Sequence, residues 1–314
     1  MIGRAGFEGL GDGRLPWPLG PAERRSIVRL IGDRTLDAGL AALLWLTVEA
    51  RLPVIVAAGP RGTGKSTVLD AALAFLPPAV SWRLLAGYAE DFEWLPEAPT
   101  LGWRSHGFGG IRADEASAAS AYPPAGGLGV APESTYLIVP EFSDHLPFYT
   151  WGEPARIAVR ALSRGYGLGG TIHAESLEEV FAELGGPRVG LTDDELSHLG
   201  IVLILRAFRG RAGEEPLRRI VAAHYVRPVA RDSGGHVQRL GPAVLATWDG
   251  EADRFEDFSW GVASELAERV GRTPADFEAE RDRRAAYLAR LVATEVDDPD
   301  AVAVAIGHWA HRGP

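Results

Sequence analysis

Apolar residues at Leu40, Leu43, Leu44 and Val48 follow Asp37 at helical spacing, so the pattern predicts a helix capped by that aspartate. Pro53 to Ala58 is a short continuous apolar run, the mark of a buried strand. It leads into Gly59-Pro60-Arg61-Gly62-Thr63-Gly64-Lys65-Ser66, and Ser66 to Phe75 reads as a helix stopped by Pro77-Pro78. Thr135 to Val139 is a second buried-strand pattern, ending in Pro140-Glu141. Ile201 to Leu205 and Arg219 to Ala222 predict a hairpin whose tip carries Arg206, Arg209 and Arg211 as solvated charge. Residues 1 to 35 are Gly- and Pro-rich with no clean period, which predicts an irregular arm.

Composition narrows the class. At 314 residues, 46% hydrophobic and 24% charged, the chain matches globular proteins and can bury a full core. No run has the length of a membrane span, and no signal peptide follows Met1, which predicts a cytoplasmic protein. Zero Cys excludes disulfides and thiolate metal sites, while a formal charge of −10 argues against nucleic acid as a partner. Scattered tryptophans with no basic stripe agree. Among 32 basic residues, Lys65 is the only lysine. A compact ammonium on a flexible stem therefore survives where a phosphate-binding loop calls for one.

The glycine loop between strand and helix is the strongest signal. Its glycines, Gly59, Gly62 and Gly64, let backbone N–H groups curl around phosphate oxygens, and the helix N-terminus adds a favourable dipole. In this reading Gly59, Gly62, Thr63, Gly64, Lys65, Ser66 and Thr67 bind nucleotide. Lys65 reaches the β- and γ-phosphates, Ser66 offers its hydroxyl to Mg²⁺, and Thr67 approaches the α-phosphate. Glu141, at the end of a later strand, is the candidate acid that holds Mg²⁺ or polarises the attacking water. The expected ligands are thus ATP and Mg²⁺. A third block, Arg164 to Ser176, places glycines before Thr171-Ile172-His173-Ala174. Taken alone, His173 reads more readily as a structural hydrogen-bonder than as a catalyst.

Together these blocks resemble the type II/IV secretion ATPase superfamily, the motors of secretion machines, pili and archaeal flagella, over most of residues 36 to 310. The glycine loop corresponds to Walker A, Pro140-Glu141 to the end of the Walker B strand, Ala89 to Glu93 to the acidic box, and residues 170 to 176 to the His box. The resemblance implies catalytic roles for Glu141, for Glu90 near the attacking water, and for His173 as a γ-phosphate sensor. It implies an α/β, RecA-like P-loop NTPase core with a mostly parallel central sheet over residues 36–245, and a small helical C-terminal region over 246–314 that follows the arm of 1–35. It further implies a homo-hexamer and a peripheral position at the inner face of a membrane, docked on a platform protein there.

Two departures stand out. The family usually carries a sizeable N-terminal domain that supplies arginines, whereas about 35 residues precede the core here, so the chain is read as a divergent member without that domain. Ser143 stands where the family has an arginine after the Walker B acid, and Ala119 to Ser134 lacks the usual arginines. Arginines that neutralise transition-state charge can contribute about 10³ to 10⁵ in rate, so their loss predicts slow or partner-dependent hydrolysis. Arg61, Arg104, Arg160 and Arg164 are the candidate substitutes. The alternatives are a nucleotide-gated regulator or assembly factor with little hydrolysis and, less favoured, a P-loop phosphotransferase.

Overall fold

A computed structural model describes residues 24–59, 62–104, 131–208, 215–231, 234 and 236–312. The candidates Pro60 and Arg61, the hairpin-tip residues Arg209 and Arg211, and the greater part of the stretch from Ala119 to Ser134 lie outside the described residues.

Among the described residues the first element is helix α1 (Ile27–Gly32), although the sequence there shows no period. Six residues are too few to display one. The Ser26 hydroxyl accepts from Arg29 N at 3.0 Å, and Ile27, Val28 and Leu30 are buried, so tertiary packing stabilises a helix that propensity does not announce. Helix α2 (Ala38–Glu49) forms where the spacing predicts it, with Asp37 Oδ1 accepting from Leu40 N at 2.7 Å. Strand β1 (Val54–Ala57), helix α3 (Lys65–Leu73) and strand β2 (Ser81–Leu84) follow. Then come β3 (Thr135–Phe142), α4 (Glu153–Ala161), β4 (Gly167–Ile172), α5 (Leu177–Gly185), α6 (Asp193–Leu196), β5 (Ile201–Phe208) and β6 (Leu217–Tyr225). The hairpin of β5 and β6 is antiparallel.

The C-terminal part differs from the sequence expectation. Residues 246 to 257 are not helical: β7 (Ala230–Arg231) and β8 (Val237–Gln238) make a small ribbon, and β9 (Ala243–Asp249) and β10 (Arg254–Asp257) extend the main sheet. Trp248 is a strand residue paired with Phe255. Helices resume at α7 (Ala263–Arg269), α8 (Pro274–Ala293) and α9 (Pro299–Arg312). No helix among the described residues is long and apolar enough to cross a membrane.

The result is a mixed α/β structure around an eight-stranded sheet in the order β10-β9-β6-β5-β1-β4-β3-β2. The five strands from β5 to β2 run parallel and the remainder antiparallel. Alternation along the strands divides the core. Val54, Val56, Tyr136, Ile138, Ile201 and Leu203 face a cluster containing α1, α2, α3 and the C-terminal helices. Ile55, Ala57, Leu137, Val139, Val202 and Ile204 face the other, with α4 and α5. The helices after residue 262 therefore share one core with α2 and do not form a separate body.

Candidate functional site

Strand order brings the chemistry together. Because β4 lies between β1 and β3, the loop after β1, the acid near the end of β3 and the histidine after β4 meet at the carboxyl ends of neighbouring parallel strands. Gly64, at φ 104°, turns the chain into α3, whose first residue is Lys65. That left-handed conformation favours glycine.

Pro140 decides where Glu141 points. It has no N–H for the ladder, and the β3–β4 register shifts between Val139 and Phe142. Without the shift Glu141 would follow Leu137 and Val139 onto the α4 side. With it Phe142 takes that side and Glu141 turns to the face carrying α3, alongside Tyr136 and Ile138.

There Glu141 Oε2 stands 3.5 Å from Lys65 Nζ, with the two residues 5% and 6% exposed. The Thr171 hydroxyl lies 2.7 Å from Glu141 Oε2 and 2.6 Å from the Pro140 carbonyl, and its one proton serves one acceptor at a time. Glu141 Oε1 is buried and has no hydrogen-bond partner. An orphaned carboxylate oxygen costs energy unless something is to be held there. His173 completes the cluster. Its Nδ1 is 2.8 Å from the Gly59 carbonyl, which can only accept, so Nδ1 carries the proton and its 3.3 Å approach to Lys65 Nζ is a contact. Its Nε2 then faces Glu141 Oε1 at 4.0 Å, too far for a direct bond.

Other expected residues are placed as follows. Thr63 is buried, while Ser66 and Thr67 are half-buried in the first turn of α3. Gly59 is closely covered: a Cβ on it would stand 2.2 Å from Glu175 Oε1. Glu90 is not brought into the cluster. Its carboxylate accepts from Ala86 N at 3.0 Å, Phe92 N at 3.2 Å and Trp94 Nε1 at 2.8 Å, all within its own loop. Of the candidate arginines, Arg160 bonds Glu195 at 2.6 Å and the Leu101 carbonyl at 2.7 Å. Arg164 is exposed before the amino end of β4, the end away from Glu141.

Thr171 and Glu175 had no role assigned from sequence. Thr171 was legible in principle, since it stands two residues before His173, the offset at which extended chain repeats a face. Glu175 carried no such mark.

The loop, the orphaned Oε1 and the half-buried Ser66 suit a triphosphate with Mg²⁺. Among the described residues no group of three or more His, Asp or Glu side chains could hold a metal ion by protein ligands alone.

No known family model matches the chain. An uncharacterized protein of Methanocaldococcus jannaschii is 26% identical over 280 residues, covering 85% of this chain and 91% of that one. The X-ray structure of the Legionella pneumophila ATPase DotB matches at 12% identity and a TM-score of 0.32, over 82% of this chain and 58% of that one. The chain thus spans less than two thirds of that structure, and the overlap is too loose to speak to fold or activity.

Proposed function

We propose that the chain binds ATP with Mg²⁺ and hydrolyses it, in the manner of the secretion and pilus motors its motifs resemble. The observation that carries this reading is the convergence of Lys65, Glu141 and His173 at the glycine loop, with one buried carboxylate oxygen left unbonded. Backbone N–H groups from Gly62 to Thr67 would cradle the phosphates, with Lys65 on the β- and γ-phosphates. Ser66 and Glu141 would hold Mg²⁺, which neutralises phosphate charge when bound. Thr171 fixes Glu141 through Oε2, leaving the unbonded Oε1 either to face the cation or to take the proton of the attacking water as the bond from the γ-phosphorus to its bridging oxygen breaks. His173, tied to the Gly59 carbonyl, links the loop to that carboxylate.

A regulator with little turnover is the second reading. It is favoured by one observation: among the described residues, no arginine pairs with Glu141, whose ion-pair contacts are Lys65 and His173.

Phosphate release measured for the unaltered chain, K65A and E141Q across protein concentrations separates these readings. A motor gives Lys65-dependent turnover that rises with assembly. Equal background in all three would refute hydrolysis, and phosphate transferred to a small molecule would identify a kinase.

A further inference from the structure

A loop that turns its N–H groups inward onto an anion turns its carbonyls outward, and a buried outward carbonyl needs a donor from elsewhere. Thr63 is 3% exposed. The donor is Arg218 of β6, whose Nε bonds the Thr63 carbonyl at 3.0 Å. The same side chain covers the bare face of Gly64: a Cβ there would stand 3.2 Å from Arg218 Cδ and 3.3 Å from Nε. Gly64 is thus held on one side by its backbone conformation and on the other by the arginine stem.

Arg218 is itself anchored. Its Nη1 lies 3.9 Å from Glu215, whose carboxylate accepts from Arg25 Nη2 at 2.9 Å. Arg25 Nη1 also bonds Asp33 at 2.7 Å, next to the end of α1. A line of charged groups therefore runs from the first helix to the outer surface of the glycine loop.

We infer that Arg218 is a positioning residue of the nucleotide site, holding the loop in its anion-ready shape through the Thr63 carbonyl. This rests on the reading of residues 59 to 66 as a phosphate site. Arg218 differs from the arginines expected from sequence, because it bonds the loop backbone and supplies no charge to the transferring phosphate. An arginine two positions into the second hairpin strand reads as solvated charge until the sheet order sets it against the loop.

The test is Mg-ADP binding by titration calorimetry for the full chain, K65A, R218M and R218K, with unfolding midpoints measured without nucleotide. R218M leaves the buried Thr63 carbonyl without its donor, so it should lower the midpoint and, at temperatures where the chain is still fully folded, bind about tenfold more weakly. R218K, which keeps a donor, should restore most of it. Unchanged affinity in R218M, equal weakness in R218M and R218K, or a loss that only tracks the folded fraction would each overturn the inference. If K65A binds as well as the unaltered chain, the phosphate reading fails first and takes the inference with it.

Discussion

Lys65 and Glu141 form a buried ion pair across the site, so removing Lys65 should harm the fold as well as any function of the loop. At 3.5 Å and an effective dielectric near 20, two unit charges attract by about 5 kcal/mol, much of it offset by desolvation. Removing one partner strands the other charge. Each of K65M and E141Q should therefore cost more than the double variant implies. For K65M the stranded carboxylate also has an unbonded Oε1, which places the expected loss at about 3 kcal/mol or above. The double variant leaves no stranded charge, and the cycle should show about 2 to 3 kcal/mol of coupling. Guanidinium unfolding of the four ligand-free proteins, with matched m-values, provides the measurement. Losses that add within about 0.5 kcal/mol would show that the pair contributes nothing and that the site's electrostatics are misread.

Two further outcomes test other parts of the structure. E90Q should lower stability by about 1 to 3 kcal/mol, because an amide turns a donor toward the N–H groups of Ala86, Phe92 and Trp94, while ATP turnover per folded molecule stays unchanged. Lost turnover at full stability would instead restore the acidic-box role. Asp253 is held below the usual carboxylate range, first by its hydrogen bond from Arg219 and then by those from Trp248 and Arg34. Its lowered pKa means that its contribution is complete above about pH 4 and is lost as pH falls through the folded value. The stability gap between D253N and the unaltered chain should be wide at pH 7 and narrow in strong acid; an equal gap at both would refute the assignment.

The parts of the site that could be read from sequence are those encoded locally. Residues 53 to 66 announce a buried strand and a glycine turn because the run is apolar, short and bounded by Pro53 and Gly59. Thr135 to Val139 is equally plain, whereas β4 shows in the sequence only as a glycine-rich block, three of whose glycines, Gly167, Gly169 and Gly170, lie within the strand. What sequence could not give depends on neighbours. The side of the sheet reached by Glu141 follows from a register shift at Pro140, and Glu90 looks catalytic by position yet serves the turn around it. Helix α1 is held by burial, and the end of β9 with all of β10 falls in the tail that the resemblance gave as helical: β10 has Phe255 alone among charged residues, whereas β9 is uncharged up to Asp249 and its strand pattern was there to be read.

The glycines of β4 have a consequence for the reach of every side chain at the site. A Cβ on Gly169 would meet Leu69, Leu73 and Tyr136 at 3.2 Å, and one on Gly170 would meet Phe142 at 2.8 Å. Gly170 faces the α4 side, while Gly169 works as a thin shim under α3, a hydrogen atom standing where any side chain would press on Leu69 and Leu73. Lys65 is carried by α3 and Glu141 by β3, so the shim's thickness sets the gauge between ammonium and carboxylate. Thickening it by one methyl would raise one rail against the other, altering the site from positions that no ligand could touch.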